Sequence, residues 1–215
     1  MIKISNKTKG AVLFHQSSQN IDRIVSFYKA SLISNRKFVV DIYTAHILNA
    51  LKNYADIPYP SKKYSNVKVF YPYWLSDRIA KKDKELLFKF SNYKITNEEI
   101  AKNSSEIMMM VRTSMLSDLK MIDSFNESSY VYSLWTGYLK EDRMKKMLDY
   151  INNKNIKKYR LHTSGHASKT TLDLLVNRIQ PKKIVPIHTF HPEEYKNLFE
   201  SKIVETFSDG ELIEI

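Results

Sequence analysis

Histidine carries most of the chemistry open to this chain. Cysteine is absent, which removes thiolate nucleophiles, disulfides and zinc–thiolate sites, so any metal must sit on His, Asp or Glu. Four of the six histidines, His162, His166, His188 and His191, fall in the last third of the chain. The run His162-Thr163-Ser164-Gly165-His166 leaves a predicted strand and precedes a predicted helix, and the small Ser164 and Gly165 let the backbone approach a ligand closely. His188 closes the next predicted strand, 188 − 166 = 22 positions after His166. One strand–helix–strand unit fills that gap, and neighbouring parallel strands would bring both imidazoles to one sheet edge. Imidazoles so placed can bind a metal or protonate a leaving group. Any one of them alone reads as an ordinary polar loop residue; the pair bracketing one unit is what argues for a site.

Other strand ends offer polar groups to the same edge. Asp41 ends the second predicted strand. Arg112-Thr113-Ser114 follows the fourth: the guanidinium could grip a phosphate through two parallel hydrogen bonds, with both hydroxyls completing an anion nest, or Arg112 could pair with a carboxylate. Ser133 to Gly137 follows the fifth. There Trp135 and Tyr138 could stack on a nucleic-acid base or simply pack at the rim.

The elements that must position these residues alternate in type. Short β-branched runs, Ala11–Phe14, Lys37–Val40, Val67–Phe70, Ile107–Val111 and Tyr130–Leu134, are each followed by a stretch of helical period. The helices expected are Ile21 to Leu32 with Ser17, Ser18 or Asn20 as N-cap, Thr44 to Leu51, Ser76 to Phe90, a short one after Ser114, and Glu141 to Asn152. This order predicts a parallel sheet with helices on both faces, binding at the carboxyl ends of its strands. After Lys158 come a strand at Tyr159–Leu161, a helix over Thr170–Ile179, a strand at Ile184–Ile187 and a helix near Glu193–Phe199. Two final strands, Ile203–Phe207 and Glu211–Ile215, are joined by a Ser208-Asp209-Gly210 turn.

The chain's 215 residues suffice for one large α/β domain, or a domain with a small appended unit. Its 34 Lys and Arg against 23 Asp and Glu leave a net charge of +11, a field that draws in polyanions. The lysine pairs are scattered, as at Lys62-Lys63 and Lys157-Lys158, and read mainly as solvated surface. No apolar stretch is long enough to span a membrane and the first residues lack a signal peptide's apolar core, so a soluble protein without membrane partners is expected. The lack of cysteine fits a cytoplasmic one.

His162-Thr163-Ser164-Gly165-His166-Ala167-Ser168, the leucine-rich helix, Pro181-Lys182 and Val185-Pro186-Ile187-His188-Thr189 together resemble the closing segment of metallo-β-lactamase-fold hydrolases of the β-CASP type, the ribonuclease J-like branch. Upstream, Gln19–Arg23, Val40–Ala45, Val111–Ser114 and Ser133–Tyr138 resemble the β-CASP insert of bacterial members. The resemblance covers nearly the whole chain and corresponds to the C-terminal half of such a hydrolase. It implies an α/β fold: a parallel-sheet β-CASP-like domain over residues 1–158, then the closing β-α-β segment of the metallo-β-lactamase fold over 159–215. It also implies that His166 contacts the scissile phosphate as a catalytic residue and that His188 joins the metal shell; Arg112, Thr113, Ser114, Ser164, Gly165 and Trp135 are candidates for binding substrate. Asp41 and His162 are further candidates.

The family's cofactor is a pair of zinc ions and its ribonuclease members act on RNA. This chain departs from the pattern at the N-terminal H-x-H-x-D-H segment, which it lacks together with the later metal-binding His and Asp and the acidic partner of the phosphate-contacting histidine. The expectation is therefore part of a zinc-dependent phosphodiesterase or ribonuclease, inactive as an isolated chain and completed by a complementary metal-binding chain or a homo-oligomer. Two alternatives stay open: a non-catalytic RNA- or protein-binding module, and a hydrolase of a small phosphorylated substrate. Without the missing half, the Leu172, Leu175 and Ile179 helix and the Ile184–Ile187 strand are expected to expose apolar faces.

Overall fold

A strand that carries apolar residues on both faces must be covered from both sides, and the largely apolar first five strands lie in one sheet. The structure, a computed structural model, describes residues 1–161, 167–200 and 203–213. The chain forms two compact units, Met1–Thr163 and Ser164–Ile215.

The first unit contains six parallel strands: β1 (Val12–His15), β2 (Lys37–Asp41), β3 (Val67–Phe70), β4 (Ile107–Met110), β5 (Ser129–Tyr132) and β6 (Lys157–Arg160), in the spatial order β3-β2-β4-β1-β5-β6. Its helices are α1 (Ile2–Lys7), α2 (Ile21–Ile33), α3 (Ile42–Leu51), α4 (Tyr73–Lys82), α5 (Lys84–Phe88), α6 (Asn97–Lys102), α7 (Leu116–Ile122) and α8 (Asp142–Asn153). Strand residues alternate between two cores. Val12, Phe14, Phe38, Val40, Met108 and Met110 pack with Ile24 and Phe27 of α2 and with Ile42, Ala45 and Leu48 of α3. Leu13, Val39, Met109 and Tyr130 point the other way, to Leu119 and Ile122 of α7 and Met144, Met147 and Ile151 of α8. The α/β class with helices on both faces is thus observed.

Because α2 follows β1 onto one face and α7 follows β4 onto the other, the chain diverges between these two neighbouring strands. A crevice opens at such a switch point, at the carboxyl edge of the sheet. The amino edge is closed differently. Arg36, buried and set up by left-handed Asn35, donates to the carbonyls of Gly10 at 2.8 Å, Ile107 at 3.3 Å, Ser5 at 3.2 Å and Thr8. One planar guanidinium so ties β1 and β4 to the α1 segment. Gly10 has no room for a side chain there, since a Cβ would lie 2.2 Å from the Asn126 carbonyl oxygen.

Several elements differ from expectation. The single helix predicted over Ser76–Phe90 is two, broken at Asp83, whose extended backbone lets its carboxylate cap α5 by accepting from the N–H groups of Glu85 and Leu86. Neither α1 nor α6 was anticipated. The last strand of the sheet begins earlier than expected, at Lys157, and pairs with β5 in register Tyr132↔Arg160.

The second unit contains α9 (Lys169–Ile179), β7 (Lys183–Ile184), α10 (Glu194–Leu198) and β8 (Ile203–Val204). The strand expected to run to Ile187 stops at Ile184, ahead of Pro186, which has no N–H to give a ladder. The chain then turns through left-handed His188, φ 56°. β8 pairs in parallel with β7, and the described residues after Gly210 form no strand beside it. The expected turn is present: Glu211 N–H donates to Ser208 at 3.1 Å and Gly210 takes φ 83°. Leu174, Leu175, Ile179 and Ile187 are exposed, and Phe199 is the buried apolar side chain of this unit's described residues. No helix among the described residues is long and apolar enough to cross a membrane.

Candidate functional site

At the carboxyl ends of β1, β2 and β4, Ser18, Asp41, Thr44 and Arg112 form one hydrogen-bonded cluster. Asp41 ends β2 and caps α3, one oxygen accepting from Thr44 N–H at 2.7 Å. Its other oxygen pairs with Arg112 Nε, which arrives from the end of β4. Arg112 Nη2 donates to Ser18 Oγ and, at 3.1 Å, to Thr44 Oγ1, while those two hydroxyls share a hydrogen bond of 2.6 Å. The guanidinium carbon lies 5.5 Å from the centre of the Tyr43 ring. Of the two roles left open for Arg112, pairing with a carboxylate is therefore realised. The partner is fully buried, whereas the arginine side chain keeps 26% of its surface accessible. Thr113 is half-buried and Ser114 exposed in the short turn that follows.

β1 contributes residues that the sequence reading passed over. His15, at its end, is buried, shares a 2.7 Å hydrogen bond through Nδ1 with the Tyr130 hydroxyl, and lies edge-on to the Tyr130 and Tyr132 rings. Burial, and secondarily the positive charge of Arg112, lower its pKa to about 4, so the ring is neutral at physiological pH. Gln16 follows, also buried, with neither its amide nitrogen nor its oxygen partnered among the described residues. A buried amide left so is a position where a ligand or water is expected. The only sequence signal for these residues was their place at a strand end.

β5 and β6 complete the edge. Ser133 N–H donates to His15 O at 2.9 Å, its hydroxyl donates to Leu161 O, and its carbonyl accepts from Arg23. Leu161 N–H donates to Tyr132 O at 2.9 Å. The chain therefore reaches this edge at Leu161, one residue before His162. Trp135 is exposed and lies edge-on to Tyr138 with ring centres 5.4 Å apart. Its indole covers Gly137 so closely that a Cβ there would lie 2.1 Å from it. The ring has local packing and a free outer face, so both roles considered for it are compatible with its position.

His162, Ser164, Gly165 and His166 lie outside the described residues. His188 stands in the second unit, in the loop after β7, and has partners of its own; His191 pairs with Glu193 at 3.3 Å. Among the described residues no three His, Asp or Glu side chains are grouped so as to hold a metal ion. Asp41, considered as a ligand, has both oxygens committed to Arg112 and Thr44. The described donor set does not fit a zinc pair.

No family model matches this chain and no curated protein matches it. Among solved structures it is similar to a protein of unknown function from Enterococcus faecalis V583, with a TM-score of 0.65 at 22% identity. The match covers 98% of this chain and 42% of that one, so this chain spans less than half the length of its structural neighbour. At that identity the likeness speaks for the fold.

Proposed function

We propose that this chain is the substrate-holding part of a metal-dependent phosphodiesterase of the metallo-β-lactamase fold, β-CASP type, acting on RNA. The observation that carries the reading is the carboxyl edge. Arg112, bonded to Asp41, Ser18 and Thr44 and still partly accessible, lies at the carboxyl edge of the sheet that Leu161 also reaches. An arginine locked in this way can meet a phosphate with little further loss of side-chain freedom. The hydroxyls of Thr113 and Ser114 follow it, and the outer face of Trp135 is free for a base.

By resemblance His166 would contact the scissile phosphate and His188 would join the metal shell. The described residues do not hold the remaining metal ligands, which this reading assigns to a complementary chain or to another part of a longer protein. The E. faecalis protein, more than twice this chain's length, is a structural relative with room for such a part. The mutual commitment of Asp41 and Arg112 also favours a second reading, an RNA-binding module that does its work without metal chemistry.

Binding of single-stranded RNA over a range of salt concentrations tests the shared part of both readings. RNA affinity should fall with salt with a log–log slope of about −0.7 per phosphate contact. Trp135→Ala should weaken binding, by about 1–3 kcal/mol if a base stacks there. RNA binding that is absent or insensitive to salt would sink the proposal. Zinc titration of the chain with its complementing part then separates the two readings: metal-dependent cleavage selects the hydrolase.

A further inference from the structure

A cavity of about 690 Å³ lies apart from the Arg112 cluster, between the end of β3, α4, α5 and α7. Its wall is largely apolar, with Phe70, Phe88 and Ile95, and its polar members include Ser76 and Asp118. Asp118, in the first turn of α7, is buried. One of its oxygens accepts Tyr73 N–H at 2.9 Å, giving α4 the cap that Pro72 at its N-cap position cannot supply. The other oxygen, Oδ2, and the Ser76 hydroxyl are both buried without a partner among the described residues.

Leaving a buried carboxylate oxygen without a donor is costly, and such atoms in a native fold call for an explanation. The remaining ionic groups on the wall tilt the balance further. Asp77, Glu98 and Asp118 face the cavity against the single ammonium of Lys94, which sits 5.6 Å from the centre of the Tyr71 ring. Asp77 is neutralised by Lys81 at 2.6 Å, so the uncompensated charge is chiefly that of Asp118. Low-dielectric walls focus that field into the cavity. Around the mouth Tyr73, Phe88 and Met121 are exposed and uncovered, which suits an apolar ligand body.

We propose that this cavity binds a small organic cation, a protonated amine or amidine on an aromatic or branched apolar body. The amine would be drawn to Asp118, with Ser76 as a second polar contact, and the body would sit among Phe70, Phe88 and Ile95. The volume lies in the usual range for small-molecule sites, roughly 300–1,000 Å³. The inference does not rest on the phosphodiesterase reading, because none of these residues belongs to the Arg112 cluster.

The test uses the full chain and three probes of one shape: 2-phenylethylamine, neutral 2-phenylethanol and anionic phenylacetate. Binding is followed by NMR shifts of the Tyr73, Ser76 and Ile95 amides. The amine should bind at least about tenfold more tightly than either analogue, the ratio expected when a charge-assisted hydrogen bond is lost. Asp118→Asn keeps an oxygen to accept from Tyr73 N–H and so leaves α4 capped; it should remove the amine's advantage while the melting temperature stays near that of the parent chain. Ala80→Phe fills the cavity and leaves Asp118 unchanged, and it should abolish binding. Equal affinity for the three probes, no binding of the amine, or full amine affinity in either folded variant would overturn the proposal.

Discussion

Both oxygens of Asp41 are in use, one on the α3 cap and one on Arg112, and the carboxylate is fully buried. Asp41→Ala removes the cap and strands the guanidinium of Arg112 in a half-buried position. Unfolding in urea should show a loss of roughly 3–5 kcal/mol, the range for breaking a buried pair from one side; a loss below about 1 kcal/mol would mean the pair is solvated and contributes little. His15 carries a pH signature of opposite origin. Its folded pKa of about 4 lies below the ordinary histidine value, so between those two values the unfolded chain binds the proton that the folded chain refuses. The resulting stability is complete above about pH 6.5 and lost as pH falls toward 4, on the order of 3 kcal/mol in all. Denaturation curves between pH 7 and 4 should therefore flatten in His15→Gln relative to the parent chain. An unchanged slope would show that His15 protonates freely in the fold.

At the scale of elements, α6 offers the cleanest measurement. Thr96 accepts from Glu99 N–H at 3.2 Å while the Glu99 carboxylate accepts from Thr96 N–H at 2.8 Å, a complete capping box on a six-residue helix. Thr96→Ala should cost about 1 kcal/mol in thermal or chemical unfolding, with no change at the Arg112 cluster. This helix was legible, because Thr96-Asn97-Glu98-Glu99 spells the box, yet its six residues gave too little apolar period to be noticed. The first five strands and the long helices α2, α3 and α8 lie within a few residues of their expected bounds, because burial leaves a largely apolar run in a strand and an apolar stripe on a helix. The clustering of Asp41, Arg112 and Ser133 at one edge followed from parallel topology. The pairing of Asp41 with Arg112 did not, since sequence spacing cannot say whether a strand-end arginine turns to a carboxylate or to solvent. His15 and Gln16 were missed for a related reason: a polar residue that continues an apolar strand looks like the end of the strand, and only the neighbours contributed by β5 show that it is buried.

For the molecule as a whole, the two units differ in what holds them. The first has two extensive cores, while the second exposes most of its large apolar side chains, including Phe190 at 98%. The chain truncated after Leu161 should therefore unfold cooperatively with a urea midpoint close to that of the full chain, followed by far-UV circular dichroism. A shift to a much lower midpoint would mean that the second unit stabilises the first. Leu174, Leu175 and Ile179 of α9 are exposed, and a partner for that face belongs to the proposal above.

The strand order also sets a constraint on synthesis. β1 is wholly buried, yet its pairing partners are β4 and β5, and it forms no ladder with β2 or β3. While the ribosome has delivered only the first hundred residues, β2 and β3 can pair but β1 has no neighbour. Both backbone edges of Val12–His15 must wait, unpaired, until Ile107–Met110 and Ser129–Tyr132 emerge. At roughly 5–20 residues per second that wait lasts several seconds, long enough for a nascent chain to be caught by a chaperone or to pair with the wrong strand. Halting translation before residue 107 should therefore yield chains that aggregate, whereas release after β5 has emerged lets the central strand slot into a sheet already waiting on both sides.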